Sequence, residues 1–406
     1  MKLYLTILSF FISVVAINAQ QLDRLVGFVL EHNPELKALE ESLSIATSKN
    51  TILKSWPDPS VSAGVYVSPI ETRVGAQEAR FSLQQPIPWF GSLKAKSYEQ
   101  KMISASVNEQ HSELKLRLRL QVVSAYVEIY KLKEQQQEAV LFEQNLKDIK
   151  KLYETQYAQD KAKATDLVEV EIALAENQLS QQSYDRKIMQ QWNIIEQLAG
   201  KPVNDKSISS AEIEALFMVP KNVDSLMTSH PKLQYLERLK QSLSLKEVVI
   251  AKDNKPKFSV GLDYVIVSER GGVDLSDSGK DAFMPMLSMT LPIFGKKNKA
   301  KIESVQAEQQ RMEQLKRLEA NKLQAELKNL FIQLEDIEAQ QQLLQQTVQD
   351  LILIKDLTMS QFTQGMSELT DVLEVELKIL KLKQEVIAVK AVHISTIESI
   401  KYYTVF

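Results

Sequence analysis

The sequence predicts a mainly α-helical chain with a smaller β portion, written as two tandem copies of one unit: a helix, a β-hairpin and a long helical hairpin. Three observations predict it. Glycine and proline are scarce and clustered, with neither between Gly91 and Gly200 and only Gly365 after Gly295. Gly costs about 1 kcal/mol and Pro about 3 kcal/mol in a helix interior, and both abound in turns, so such unbroken blocks read as helix. Landmarks also repeat in register: Pro34, Pro59 and Gly64 return as Pro231, Pro256 and Gly261, each 197 positions on, and Pro88, Phe90 and Gly91 return as Pro292, Phe294 and Gly295, each 204 positions on. Further along, Tyr157, Thr165, Asp166, Glu169 and Glu171 return as Phe362, Thr370, Asp371, Glu374 and Glu376, each 205 positions on. A register kept over so many landmarks marks a duplicated structural unit.

The elements follow in order. Lys2, the apolar run Leu3 to Ala16 and the small residues ending at Ala19 read as the three regions of a cleaved signal peptide over residues 1–19. The run is shorter than the roughly 20 residues of a membrane-spanning helix. No cysteine follows it, which excludes an N-terminal lipid anchor; the whole chain has none, which also excludes disulfides and thiol chemistry. The first repeat occupies 20–205 and the second 206–406. Opening helices are expected at about 21–55 and 222–253.

Strands are expected at about 57–68 and 79–88, and at about 257–267 and 282–292. In them Val61, Ala63, Val65 and Val67, and then Phe258, Val260, Leu262, Tyr264 and Ile266, alternate with other residues at a period of two, so each strand has one apolar face. Pro69 and Gly75 fall in the first connecting loop, Gly271, Gly272 and Gly279 in the second. Each strand has about the 9–11 residues that a tilted strand needs to cross a membrane.

Helical hairpins are expected at about 92–200 and 296–406. At 1.5 Å per residue a 60-residue helix runs roughly 90 Å. Leu114, Leu116, Leu118 and Leu120 alternate as in a strand, but their repeat, Leu318 to Leu330, is spaced helically and no breaker flanks either segment, which favours helix. The Gln-rich stretches at 135–137 and 340–342 recur in register and read as helix-face positions of a wall or groove.

Four amphipathic strands cannot close a membrane barrel, because open edges are not tolerated in lipid, so the chain must oligomerise into a conduit. The net charge of −3 gives no electrostatic ground for a nucleic-acid partner. No catalytic, cofactor-binding or metal-binding constellation stands out. The four histidines are scattered, and His32 and His230 sit beside Pro at nearly equivalent repeat positions, where a structural capping role is expected. The chain therefore does not read as an enzyme.

Three segments carry a family resemblance: Asn33-Pro34 with His230-Pro231; the strand exits Pro86 to Gly91 and Leu291 to Gly295; and Phe362-Thr363-Gln364-Gly365 leading into Thr370 to Glu374. On these residues the mature chain resembles the TolC-type outer-membrane efflux proteins along essentially its whole length. The resemblance implies a homotrimer with a 12-stranded β-barrel in the outer-membrane lipid and an α-helical tunnel in the periplasm. It also implies a periplasmic adaptor docked at the helical tips, here Gln159, Asp160, Gln364 and Gly365, and an inner-membrane pump of the resistance-nodulation-division type. Small-molecule or cation efflux is the function it suggests.

The same resemblance places a constriction of the tunnel at Asp371 and Glu374, with Asp166 and Glu169 as secondary gate candidates. The residues themselves allow a plainer reading, in which Asp371 caps a helix and Glu374 lies on a solvated face. Two alternatives to the efflux duct remain: a soluble periplasmic coiled-coil adaptor or scaffold, and the exit duct of a type I protein secretion system.

Overall fold

The computed structural model describes residues 21–158, 163–210, 213, 216–218, 229–272 and 276–404. The expected signal peptide therefore lies outside the described residues. Among the described residues, seven helices and four strands follow in chain order: α1 (Gln21–His32), α2 (Pro34–Lys54), β1 (Ser60–Thr72), β2 (Gly75–Ile87), α3 (Ser92–Tyr157), α4 (Ala164–Ala199), α5 (Pro231–Asp253), β3 (Lys257–Val267), β4 (Ala282–Thr290), α6 (Gly295–Thr363) and α7 (Leu369–Thr404). Two compact units result, and each draws on both sequence repeats: unit 1 is Met1–Ala38, His111–His230 and Ala320–Phe406, and unit 2 is Leu39–Gln110 and Pro231–Glu319.

In unit 1 the core follows helical periodicity. Leu22, Leu25, Val26 and Val29 form the buried stripe of α1, and it packs with Val122, Tyr126 and Ile129 of α3, Trp192 and Ile195 of α4, and Ala391 and Ile394 of α7. Leu114 and Leu118, four apart, are 2% and 1% exposed, while Leu116 and Leu120 are half-buried, so the alternating leucines are resolved as a helix face. Among the glutamines, Gln135 donates to the Gln384 carbonyl of α7 at 3.2 Å and Gln136 to Asp185 of α4 at 2.8 Å, so both tie neighbouring helices together.

The first opening helix is broken in two at Asn33. Its Oδ1 accepts the Leu36 N–H at 2.8 Å, an N-cap ahead of Pro34 in the first helical position. Its Nδ2 donates to the Leu198 carbonyl at 2.7 Å. Gly200, left-handed at φ 67°, ends α4 there, and a Cβ on it would lie 3.2 Å from Pro34 Cγ. Capping thus falls to Asn33 rather than to His32, whose Nδ1 lies 2.9 Å from the Phe28 carbonyl.

Unit 2 holds the sheet, antiparallel in the order β1-β2-β3-β4, so β1 and β4 are its edges. The register aligns Val61, Leu83, Leu262 and Pro285 in one row and Ala63, Phe81, Tyr264 and Phe283 in the next, all on one face. That face is uncovered: Val65 is 79% exposed, Phe283 68% and Leu287 73%. On the opposite face Arg80 pairs with Asp263 on the adjacent strand, and Gln84 donates to Ser259 at 2.7 Å.

The first hairpin differs from its expected form. β1 continues to Thr72 and β2 begins at Gly75, so only Arg73 and Val74 turn the chain. Pro69 lies inside the edge strand at a break in register between Val65 and Ile70, where a missing N–H is tolerated. Gly75 opens β2 at φ 138°, and a Cβ there would lie 1.7 Å from the Ser268 carbonyl oxygen. Gly75→Ala is therefore expected to separate the two hairpin tips and lower the melting temperature of the purified protein, while Gly64→Ala, with open space around it, should leave the melting temperature unchanged.

Candidate functional site

The ends of α3, α4, α6 and α7 meet in unit 1 around Ile149, Tyr153, Val170, Phe362, Leu369 and Val372. The Tyr153 and Phe362 rings stack at 6.4 Å between centroids and 11° between planes. Beside them opens a largely polar cleft of 470 Å³, lined by Tyr153, Gln156, Lys163, Asp166, Glu368 and the 362–365 turn among others.

Gly365 makes this turn at φ 75°. The Gly365 N–H donates to the Phe362 carbonyl at 3.0 Å and the Met366 N–H to Gln361 at 2.9 Å, the paired bonds of a Schellman C-cap. Gln364 and Gly365 are exposed on the turn, and Met366 beside them is 74% exposed. Gln159 and Asp160 lie outside the described residues.

Asp371 is the third residue of α7, and its Oδ2 accepts the Ser367 hydroxyl at 2.7 Å and the Glu368 N–H at 3.0 Å. The carboxylate thus reaches back over the helix start as in a capping box. These two bonds, the hydroxyl's first, hold its pKa below the ordinary aspartate value. Glu374 is one turn on, with Lys378 as its i,i+4 partner at 3.5 Å and its side chain 72% exposed, a pair of little energetic weight. Leu369, Val372, Leu373 and Glu376 form the buried stripe, so Asp371 and Glu374 share the opposite, exposed face.

The first repeat uses its matching aspartate differently. Asp166 is also third in its helix, but it is 9% exposed, takes a hydrogen bond from the Tyr153 hydroxyl, and accepts the Thr165 hydroxyl at 2.8 Å. Glu169 is exposed. The structure therefore does not bring Asp166 to an open surface beside Glu169.

Composition and spacing missed Tyr153, which has no aromatic counterpart in the second repeat. They also missed Lys163 and Glu368, whose signal was available: they are repeat equivalents of opposite charge, and they meet at 3.5 Å, joining the two turns. Among the described residues no group of three or more His, Asp or Glu could hold a metal ion. No described helix is long and apolar enough to cross a membrane.

Burial, and then the Asp166 carboxylate that accepts its proton, push the Tyr153 phenol up to about 12. A group with a raised folded pKa stabilises the fold fully below its unfolded value and loses that contribution as pH climbs through the folded one. The tip should therefore loosen between about pH 10 and pH 12, seen as faster amide exchange around Phe362 and Leu369. Tyr153→Phe should abolish that alkaline step and cost about 1–3 kcal/mol in a urea titration, because one Asp166 oxygen loses its donor.

Residues 229–396 match the outer membrane efflux protein family. No curated protein matches the chain in sequence. Solved structures match its fold over 95% of the chain. The channel-forming protein CusC superposes with a TM-score of 0.78 at 14% identity, over 95% of this chain and 92% of its own. The outer membrane protein VceC of Vibrio cholerae gives 0.75 at 16%, over 95% and 96%. The open-state outer membrane channel MtrE of Neisseria gonorrhoeae gives 0.75 at 15%, over 95% and 88%.

Proposed function

We propose, from the premise that this chain is a relative of the outer membrane efflux proteins, in sequence over residues 229–396 and in fold throughout, that it is the outer-membrane exit duct of a tripartite efflux system. One observation carries the proposal: a four-stranded sheet with an uncovered apolar face, a polar face and two unpaired edges. Such a sheet suits lipid on one side and water on the other, but only once its edges are closed. Three copies would close a barrel of twelve strands, and the polar face with Arg80 and Asp263 would line its lumen.

The helices support the same assembly. Leu141, Ile172, Leu179, Leu343, Leu353 and Leu357 are each more than half exposed, apolar surface suited to neighbouring copies of the chain. In the trimer the helical hairpins form the periplasmic tunnel. Its tips, with Gln159, Asp160, Gln364 and Gly365, engage the adaptor that connects to an inner-membrane pump of the resistance-nodulation-division type. The exposed Asp371 and Glu374, repeated by symmetry, make rings of carboxylate at the tunnel's narrow end, and such rings favour small cations and cationic solutes.

The purified protein is expected in outer-membrane fractions as a detergent-soluble trimer that conducts ions in planar bilayers. A water-soluble monomer without conductance would overturn the reading in favour of an adaptor or scaffold. Asp371→Asn with Glu374→Gln, which preserves acceptors at the cap, should weaken block by multivalent cations without loss of the trimer. Block of undiminished strength would assign both residues to structure alone.

A further inference from the structure

Both strand exits pass from exposed aromatic and aliphatic side chains directly into lysine. Phe90 is 85% exposed, Ile293 75% and Phe294 77%. Lys94 and Lys96 follow the first exit, and Lys296, Lys297, Lys299 and Lys301 follow the second before any acidic residue appears, at Glu303.

Three contacts bring these segments to one end of unit 2. Lys96 pairs with Asp253 at the end of α5 at 3.1 Å. Asn298 hydrogen-bonds Asn254. A Cβ on Gly91 would lie 3.9 Å from the Lys252 ammonium. The starts of α3 and α6 thus flank the end of α5, where Lys255 adds a further exposed ammonium.

Two carboxylates beside the cluster are engaged: Asp253 holds Lys96 at 3.1 Å, and Glu303 holds Lys299 at 3.9 Å. Lys94 lies over the Tyr98 ring at 5.6 Å. Among the described residues Lys255, Lys296, Lys297 and Lys301 are exposed with no ion-pair partner. A chain of net charge −3 has concentrated unneutralised positive charge in one place.

We infer that this lysine cluster is a binding surface for the headgroups of anionic phospholipids in the inner leaflet of the outer membrane. The inference rests on the proposed membrane placement of the sheet, which sets the exposed aromatics at headgroup depth and the lysines just beyond it, on the periplasmic side. Aromatic side chains settle at that interface, and lysines next to it are drawn to anionic lipid. The phosphodiester charge supplies the counter-ion that the protein itself lacks, and long lysine side chains reach it while their stems stay against apolar surface.

The test uses the full-length protein in mild detergent with added phosphatidylglycerol, phosphatidylcholine or inorganic phosphate, followed by its melting temperature. Phosphatidylglycerol alone should stabilise it. Replacing Lys296, Lys297 and Lys301 by Gln should weaken the apparent affinity about five-fold for each lysine removed at low salt. Arg at the same positions should preserve it, and about 0.5 M salt should erase the preference. Equal stabilisation by phosphatidylcholine or by inorganic phosphate, or an unaffected Gln variant, would overturn the inference. Reconstitution into phosphatidylcholine vesicles separates the two levels: a protein that inserts and conducts but ignores phosphatidylglycerol refutes the lipid site alone, whereas one that does not insert refutes the membrane placement itself.

Discussion

In hydrocarbon every backbone N–H and C=O must find a partner within protein, because no water is present to take the place of one. In the proposed membrane placement the sheet meets that demand between its strands and leaves it unmet at its edges, β1 and β4. Its apolar face, from Val61 across to Pro285, has no cover of its own. Other features take their meaning from this deficit. Serines, glycines and the Arg80–Asp263 pair share the opposite face with Val265, Met284 and Met286, a mixed surface more polar than the apolar face. A helix packed onto the apolar face would have covered it, but α5 and α6, which flank β3 and β4 in the chain, pair with each other through Lys240 with Glu313 and Lys316 with Glu237.

Duplication supplied two copies of each part, and the tip shows how the copies diverged. Both α4 and α7 carry an acidic residue three positions in, where it meets the positive end of the helix dipole. In the second copy Ser367 and the Glu368 N–H satisfy that carboxylate locally, which leaves the face beyond it open. In the first, Tyr153 reaches across from α3, stacks on Phe362 and takes the carboxylate inward. One copy's aspartate is buried against Tyr153 of its own hairpin, and the other's stays exposed. The salt bridge between Lys163 and Glu368, at 3.5 Å and largely exposed, marks the axis of the duplication and adds little stability.

Much of this was legible in the sequence because it depends on local rules. Helix extents followed from the absence of breakers, strand faces from a period of two, and the repeat from fixed spacing. Failures arose where non-local geometry overrode a local rule. Pro69 and Gly75 read as a loop, yet a bulge admits Pro69 to an edge strand and the approach of Ser268 demands a glycine at 75. Asn33 read as half of a Pro-containing motif, whereas its partners at Leu36 and Leu198 make it both a cap and a clasp on α4. Asp166 and Asp371 were indistinguishable by type and position, since only the distant Tyr153 tells them apart.

The plain and the functional readings of Asp371 are compatible once its two oxygens are considered separately. Oδ2 carries both capping bonds, and those bonds favour the ionised form, so the cap itself keeps the residue charged. A carboxylate fixed in this way would be a rigid element of the proposed constriction, costing little further entropy to order. Glu374 is the opposite case: its Lys378 contact is long and solvent-exposed, so its side chain is free to turn toward a passing cation. In the proposed trimer, a ring built from one fixed and one mobile carboxylate per chain would hold a cation without trapping it, since conduction needs binding strong enough to admit an ion and weak enough to release it. The burial of Asp166 keeps the first repeat's aspartate off an exposed face, so in the proposed duct the ring's aspartate is Asp371 of α7, while Asp166 is tied to Tyr153 of α3.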